Sequence, residues 1–169
     1  MQRHYTGVGS RSAPPEVLKL MTKIATKLAF MGYILRSGGA VGADTAFEKG
    51  VRVNNKHIYY ANDSTVEAEA IAEQYHPAWN RCNAYVRKLH GRNAFQVISS
   101  NLNKPSEFLI CWTPDGCTNH KNRCYATGGT GTAISIANAY NVSIYNLQRK
   151  DHFEIWSKWT NPMPAPQIH

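Results

Sequence analysis

The sequence predicts an α/β domain in three layers, an open and mostly parallel sheet with helices on both faces. Three observations carry this expectation. Strand-like and helix-like runs alternate along most of the 169 residues, and three glycine-rich turns stand where a strand hands over to a helix. The run Glu107-Phe108-Leu109-Ile110-Cys111-Trp112 is apolar enough that neighbours must cover both of its sides.

The elements follow in order. His4 to Gly9 reads as a short strand entering a glycine turn, and Pro14-Pro15 marks a helix start, because proline needs no amide partner in a first turn. Val17, Leu20, Met21, Ile24 and Leu28 recur at helical spacing with Lys19, Lys23 and Lys27 opposite, so this helix lays one face on the sheet. Tyr33-Ile34-Leu35 is a second strand, and Thr45 to Val53 is helical. His57 to Ala61 is rich in strand formers, and Ser64 with Glu67 has capping-box spacing for a helix running to about Tyr75. His76-Pro77 interrupts it. One helical stretch then carries Trp79, Tyr85, Val86 and Leu89, and a second runs from Arg92 to about Leu102. After the apolar strand, 113–127 is a loop, Gly128 to Thr132 opens a helix, and Val142 to Leu147 is a last strand. Residues 1–150 thus form one domain, followed over 151–169 by a helical tail with Trp156 and Trp159 and a Pro-rich end that frays.

A chain of this length supports one core, burying roughly 70% of its unfolded surface. No run of about 18 apolar residues is present, and Met1 to His4 leads into a glycine turn rather than an apolar signal, so the expectation is a cytoplasmic protein that neither spans nor enters a membrane. Nineteen Lys and Arg against eleven Asp and Glu give a net charge of +8, a surface that attracts phosphates. Four cysteines are too few for a disulfide framework and read as thiols or metal ligands.

Glycine turns ahead of helices offer free backbone amides and the positive end of a helix dipole, the chemistry that phosphate requires. The three turns together point to an anion site at the carboxyl ends of the strands, where such sheets bind ligands. A dinucleotide-linked dehydrogenase is excluded: Gly7-Val8-Gly9-Ser10-Arg11-Ser12 lacks the third glycine of that fingerprint, and no acidic residue ends the second strand. No cofactor is called for.

Thr6-Gly7-Val8-Gly9-Ser10-Arg11, Ser37-Gly38-Gly39-Ala40-Val41-Gly42-Ala43-Asp44, Arg92-Asn93 and Gly128-Gly129-Thr130-Gly131-Thr132-Ala133 together resemble the SLOG superfamily of Rossmann-like nucleotide-binding domains over residues 4–147. Within it the chain looks most like the small DNA-processing-protein-A-like members often encoded by phages. The resemblance implies a homo-oligomer with a nucleotide pocket built from Gly7, Gly9, Ser10 and Arg11, from Ser37, Gly38, Gly39 and Asp44, and from Gly128, Gly129, Thr130, Gly131 and Thr132. It further implies a nucleotide-derived ligand, such as an ADP-ribose or cyclic-nucleotide species, and in a phage the sequestration of a host signalling nucleotide.

Related phosphoribohydrolases cleave base from ribose phosphate with an arginine, matched here by Arg92, and a glutamate in Pro-Gly-Gly-x-Gly-Thr-x-x-Glu. This chain has Thr127 in place of the proline and Ser135 in place of the glutamate, so the usual carboxylate is missing. Asp44 and Glu48 are the substitutes within the second turn, and Asp44 with Arg92 is the candidate catalytic pair. Asp44 also has a purely local use, favouring a helix dipole. Arg11 suits phosphate through its planar fork. His76 and His90 read as structural. Relatives of the DNA-processing type bind single-stranded DNA, and Arg81, Arg87, Lys88, Arg92 and Lys104 interleave with Trp79, Tyr85 and Phe95 as stacking and charge would require, although Tyr85 and Phe95 also suit helix packing. Cys117, His120 and Cys124 have zinc-ligand spacing, but without a second close pair the segment reads first as a free-thiol loop that borders the third turn.

Overall fold

The computed structural model describes residues 1–165, so the end of the Pro-rich tail lies outside the described residues. Five strands, β1 (Arg3–Gly7), β2 (Tyr33–Ser37), β3 (Lys56–Ile58), β4 (Phe108–Cys111) and β5 (Ser143–Asn146), form one sheet in the order β3-β2-β1-β4-β5. Every pairing is parallel. The helices are α1 (Pro15–Phe30), α2 (Ala43–Lys49), α3 (Val66–Tyr75), α4 (Ala84–Ile98), α5 (Thr130–Ala139) and α6 (Lys150–Trp159). This is the expected three-layer, Rossmann-like arrangement. The chain builds outward from β1 to β3, returns through α3 and α4, and builds outward again from β4, so the strand order reverses between β1 and β4.

Alternation along the strands divides the core. Tyr5, Leu35 and Ile110 face a layer filled by Val17, Leu20, Met21, Ile24 and Leu28 of α1, Phe47 of α2 and Trp156 of α6. Leu109 and Cys111 face the other layer, with Ala68 of α3, Ala94, Phe95 and Ile98 of α4, and Ile134 and Ile136 of α5. The apolar strand is therefore covered on both sides. Its fit to β1 continues past the strand ends, where Val8 N–H donates to Ile110 O at 3.1 Å and Ser10 N–H to Trp112 O at 3.0 Å. Trp156 of α6 is 8% exposed and meets Phe108 and Tyr145 at ring separations of 5.7 and 5.3 Å.

Several local expectations are corrected. The two helices read between Trp79 and Leu102 are one, α4, preceded by a 3-10 turn at Trp79–Arg81 and capped by Asn83, whose Oδ1 accepts from Val86 N–H at 2.9 Å. Gly91, between the two stretches read from sequence, stays helical; a Cβ there would clash with Ser64 Oγ, so the glycine serves the approach of the segment leading into α3. The cap of α3 is Thr65 rather than Ser64. The second helix is shorter than expected, ending at Lys49, with a 3-10 turn at Val53–Asn55. Phe95 is buried and packs on Tyr59, so it is a core residue and not a stacking platform.

Gly7 is part of the core rather than of a ligand surface. A Cβ at this position would lie 2.7 Å from Phe47 Cγ and 2.9 Å from Leu35 Cδ1, both side chains fully buried. Gly7→Ala is expected to destabilise the fold by about 1–3 kcal/mol through overpacking. Thermal or denaturant unfolding checks this, and a wild-type midpoint would contradict it.

Candidate functional site

All three glycine turns emerge at the carboxyl ends of parallel strands, the first after β1, the second after β2, and the third opening α5 beyond β4. A cavity of about 380 Å³ lies between them at the point of strand reversal. Of the residues expected from sequence, Gly9, Ser10, Arg11, Asp44, Arg92, Gly128, Gly129 and Thr130 line it. Gly7, Ser37, Gly38, Gly39, Gly131 and Thr132 do not, and their environments explain why. Ser37 is buried and donates to Gly7 O at 2.6 Å, a strand-to-strand tie. Gly38 gives way to Gln96 and Arg92, Gly39 lies against Tyr60, and Gly131 makes room for the Arg123 side chain. Thr132 is fully buried, with its hydroxyl 2.9 Å from His90 Nδ1 and 3.0 Å from Arg123 Nη2, which donates to it. Half of the glycine signal is thus packing.

Asp44 sits in the first turn of α2 and is 4% exposed. Burial pushes its carboxyl up to about 6, against the opposing pull of the Arg92 charge and of the Ala40, Gly38 and Gly9 amides. Ala40 N–H donates to Oδ2 at 3.3 Å. The carboxyl thus accepts a hydrogen bond from the second turn. Arg92 reaches across from α4, donating through Nη1 to Gly38 O at 2.7 Å, so the cation expected for phosphate also holds the second turn. Glu48, the other carboxylate considered, is turned away and paired with Lys56 at 2.9 Å.

The third turn is different in kind. Gly131 N–H and Thr132 N–H close back on Gly128 O and Gly129 O, while the amides of Gly129 and Thr130 make no backbone hydrogen bond among the described residues. These are the open donors of a helix start. A Cβ on Gly128 or Gly129 would meet nothing within 4 Å, and Gly129 has an ordinary φ of −62°. The fold needs no glycine at 129, an exposed residue among those lining the cavity. Loop 113–127 completes the wall with Pro114, Ala126 and Thr127. Asp115 anchors that loop, accepting from Thr127 and Thr113 hydroxyls at 2.5 and 2.7 Å.

The sequence reading missed His90, Gln96, Leu89 and Pro114 on the wall. Asn93 Nδ2 donates to Gly129 O at 3.4 Å and so connects α4 to the third turn. Gln96 Oε1 and Arg92 Nε are buried polar atoms without a protein partner. Periodicity on α4 could have flagged Leu89, Asn93 and Gln96, since positions three and four apart share one helical face. Cys117, His120 and Cys124 do not converge. Cys117 Sγ bonds Asn119 O, His120 Nδ1 lies 2.8 Å from Ser135 Oγ, and Cys124 Sγ bonds Asp115. None of the four cysteines is in a disulfide. Ser135, at the place of the missing glutamate, is buried against His120 and Arg123 and is not on the cavity wall. Among the described residues no helix is long and apolar enough to cross a membrane.

No protein-family model matches the sequence, and no curated protein matches it. Among solved structures, DNA processing protein A from Helicobacter pylori, described for its single-stranded DNA binding mode, superposes with a TM-score of 0.57 at 14% sequence identity. The match covers 94% of this chain and 73% of that one. The likeness is one of fold, a Rossmann type like that of DNA processing protein A.

Because the folded state raises the Asp44 pKa above its unfolded value, protonation of this group favours folding: its contribution to stability is greatest below the unfolded value near 4 and is lost as pH rises through about 6. With one pKa unit worth 1.36 kcal/mol, the wild type should lose about 3 kcal/mol relative to Asp44→Asn between pH 4 and pH 8. Denaturant titrations of both proteins at the two pH values test this. A difference independent of pH would show that the carboxylate ionises at no cost.

Proposed function

We propose that this protein binds single-stranded DNA and seats one nucleotide unit in the cavity between the first and third turns. The observation that carries the reading is the open space over Gly129, where unpaired amides at a helix start face a cavity that no internal packing requires. In a phosphate-binding turn, glycine at such a position lets the ligand approach the backbone. Arg11, exposed on the rim and outside any ion pair among the described residues, supplies a mobile charge for the same phosphate. Arg92 Nε and Gln96 Oε1 are polar atoms for the sugar or base, and Val8, Leu89, Pro114 and Ala133 give the base apolar surface.

The choice of a polymer over a free nucleotide rests on charge and on the neighbouring structure. Arg81, Arg87 and Lys88 form a basic strip of the sequence just ahead of the cavity residues of α4, with Tyr85 exposed and Arg87 5.4 Å from the Trp79 ring. Such a strip suits a backbone that continues beyond the pocket, with bases stacking on aromatic faces. An ADP-ribose or cyclic nucleotide would use the same cavity without the strip.

A second reading, release of base from ribose phosphate, is favoured by one observation: a buried carboxyl titrating near neutrality on the cavity wall. Against it, the carboxylate is committed to backbone amides and Ser135 cannot replace it.

Fluorescence anisotropy with a labelled oligo-dT is expected to show salt-dependent binding, weakened about tenfold or more by Gly129→Ala while stability changes by less than about 1 kcal/mol. Arg11→Ala should reduce the salt slope by about one. Wild-type affinity in Gly129→Ala would remove the pocket from the interface. Depletion of AMP, ADP-ribose or a cyclic adenine nucleotide without DNA binding would favour the free-ligand reading, and accumulation of free base would favour the hydrolase.

A further inference from the structure

Outside the phosphate cradle, three side chains meet that sequence spacing does not single out. His76 follows α3, Cys82 follows the 3-10 turn at Trp79–Arg81, and His90 lies on α4. One ligand atom of each lies within 4.8 Å of the other two. We infer that His76, Cys82 and His90 form a binding site for a zinc-type divalent cation beside the cavity, whose wall includes His90.

The distances suit the ion. Zn–S of about 2.3 Å and Zn–N of about 2.0–2.1 Å at tetrahedral angles place sulfur and nitrogen about 3.6 Å apart. Cys82 Sγ stands 3.7 Å from His76 Nε2, already at that separation. The His76 and His90 rings have centroids 4.3 Å apart in an edge-to-face arrangement, with a nitrogen of each within 4.8 Å of the other and of Cys82 Sγ. His90 Nδ1 is engaged by Thr132 Oγ1 at 2.9 Å, which leaves Nε2 for a metal and fixes the ring as an outer partner does in metal sites.

The surroundings also set limits. Ala78 N–H donates to His76 Nδ1 at 3.0 Å, so ligation through Nε2 exchanges that hydrogen bond for a metal bond. Arg123 and Arg92 place positive charge near the histidines, and the Cys82 thiolate is the group that offsets it for a dication. Trp79 closes one side at ring separations of 6.0 and 6.5 Å from His76 and His90. Three protein ligands leave a fourth position, the pattern of sites that keep water or a ligand oxygen on the metal. His90 belongs to the cavity wall, so that position neighbours the pocket. A mixed nitrogen and sulfur set selects zinc-like ions over magnesium or calcium.

Co²⁺ titration of the metal-stripped, reduced full chain tests the site. The expected result is saturation at one equivalent, with thiolate-to-cobalt charge transfer and the intense visible bands of four-coordinate cobalt. Both are lost in Cys82→Ser and His90→Asn and kept in Cys124→Ser and His120→Asn. Cys82 is half-buried, so Cys82→Ser should keep the wild-type circular dichroism and the wild-type Tm in chelator, while Zn²⁺ raises the Tm of wild type alone. Absence of a saturable band, or its persistence in Cys82→Ser with loss in Cys124→Ser, would overturn the assignment.

Discussion

The carboxylate of Asp44 is attracted by amides from Gly9 in the first turn and from Gly38 and Ala40 in the second, in a place that water scarcely reaches. Ala40 N–H donates to it within the second turn, and Arg92 clamps that turn from the opposite layer. The cost is a buried charge, and proteins retain such costs chiefly where a site must be held in shape. The third turn, by contrast, is held by Arg123 and Asn93, and the amides of Gly129 and Thr130, residues that line the cavity, have no backbone partner among the described residues.

This division explains how one motif type serves two ends. Gly7, Gly38 and Gly131 are small because Phe47 and Leu35, Gln96 and Arg92, and Arg123 respectively pack where a Cβ would be. Gly129 is small in front of open space. The first group lets three turns converge, and the second leaves the resulting cavity accessible at the backbone. Loop 113–127, anchored at Asp115, then closes one side with Pro114 and Thr127.

The layers and the site's position were legible in the sequence because both rest on local signals. The periodicity of Val17 to Leu28, the unbroken apolar strand at Phe108 to Cys111, and glycine turns after strands each report a nearby cause. What was not legible depends on contacts between distant segments. Gly91 falls between two helical stretches until Ser64 is seen against it, and Ser64 looks like a cap until Thr65 takes that role. Gly7 and Gly129 are indistinguishable as letters, and only their neighbours separate a packing glycine from an exposed one. The Cys117, His120 and Cys124 spacing suggested a metal, yet the fold turns each toward a different partner and brings together His76, Cys82 and His90 instead.

On the proposed function, the open amides of the third turn, with the first turn opposite, receive a nucleotide unit. Backbone amide mapping by NMR during titration with a short oligo-dT tests it most directly. The account predicts that Gly129, Thr130, Ser10 and Arg11 shift most, followed by the exposed residues around Tyr85 and Arg87, while the amides of α6 stay unchanged. Shifts confined to α1 and α6, with the third turn unmoved at saturation, would contradict it.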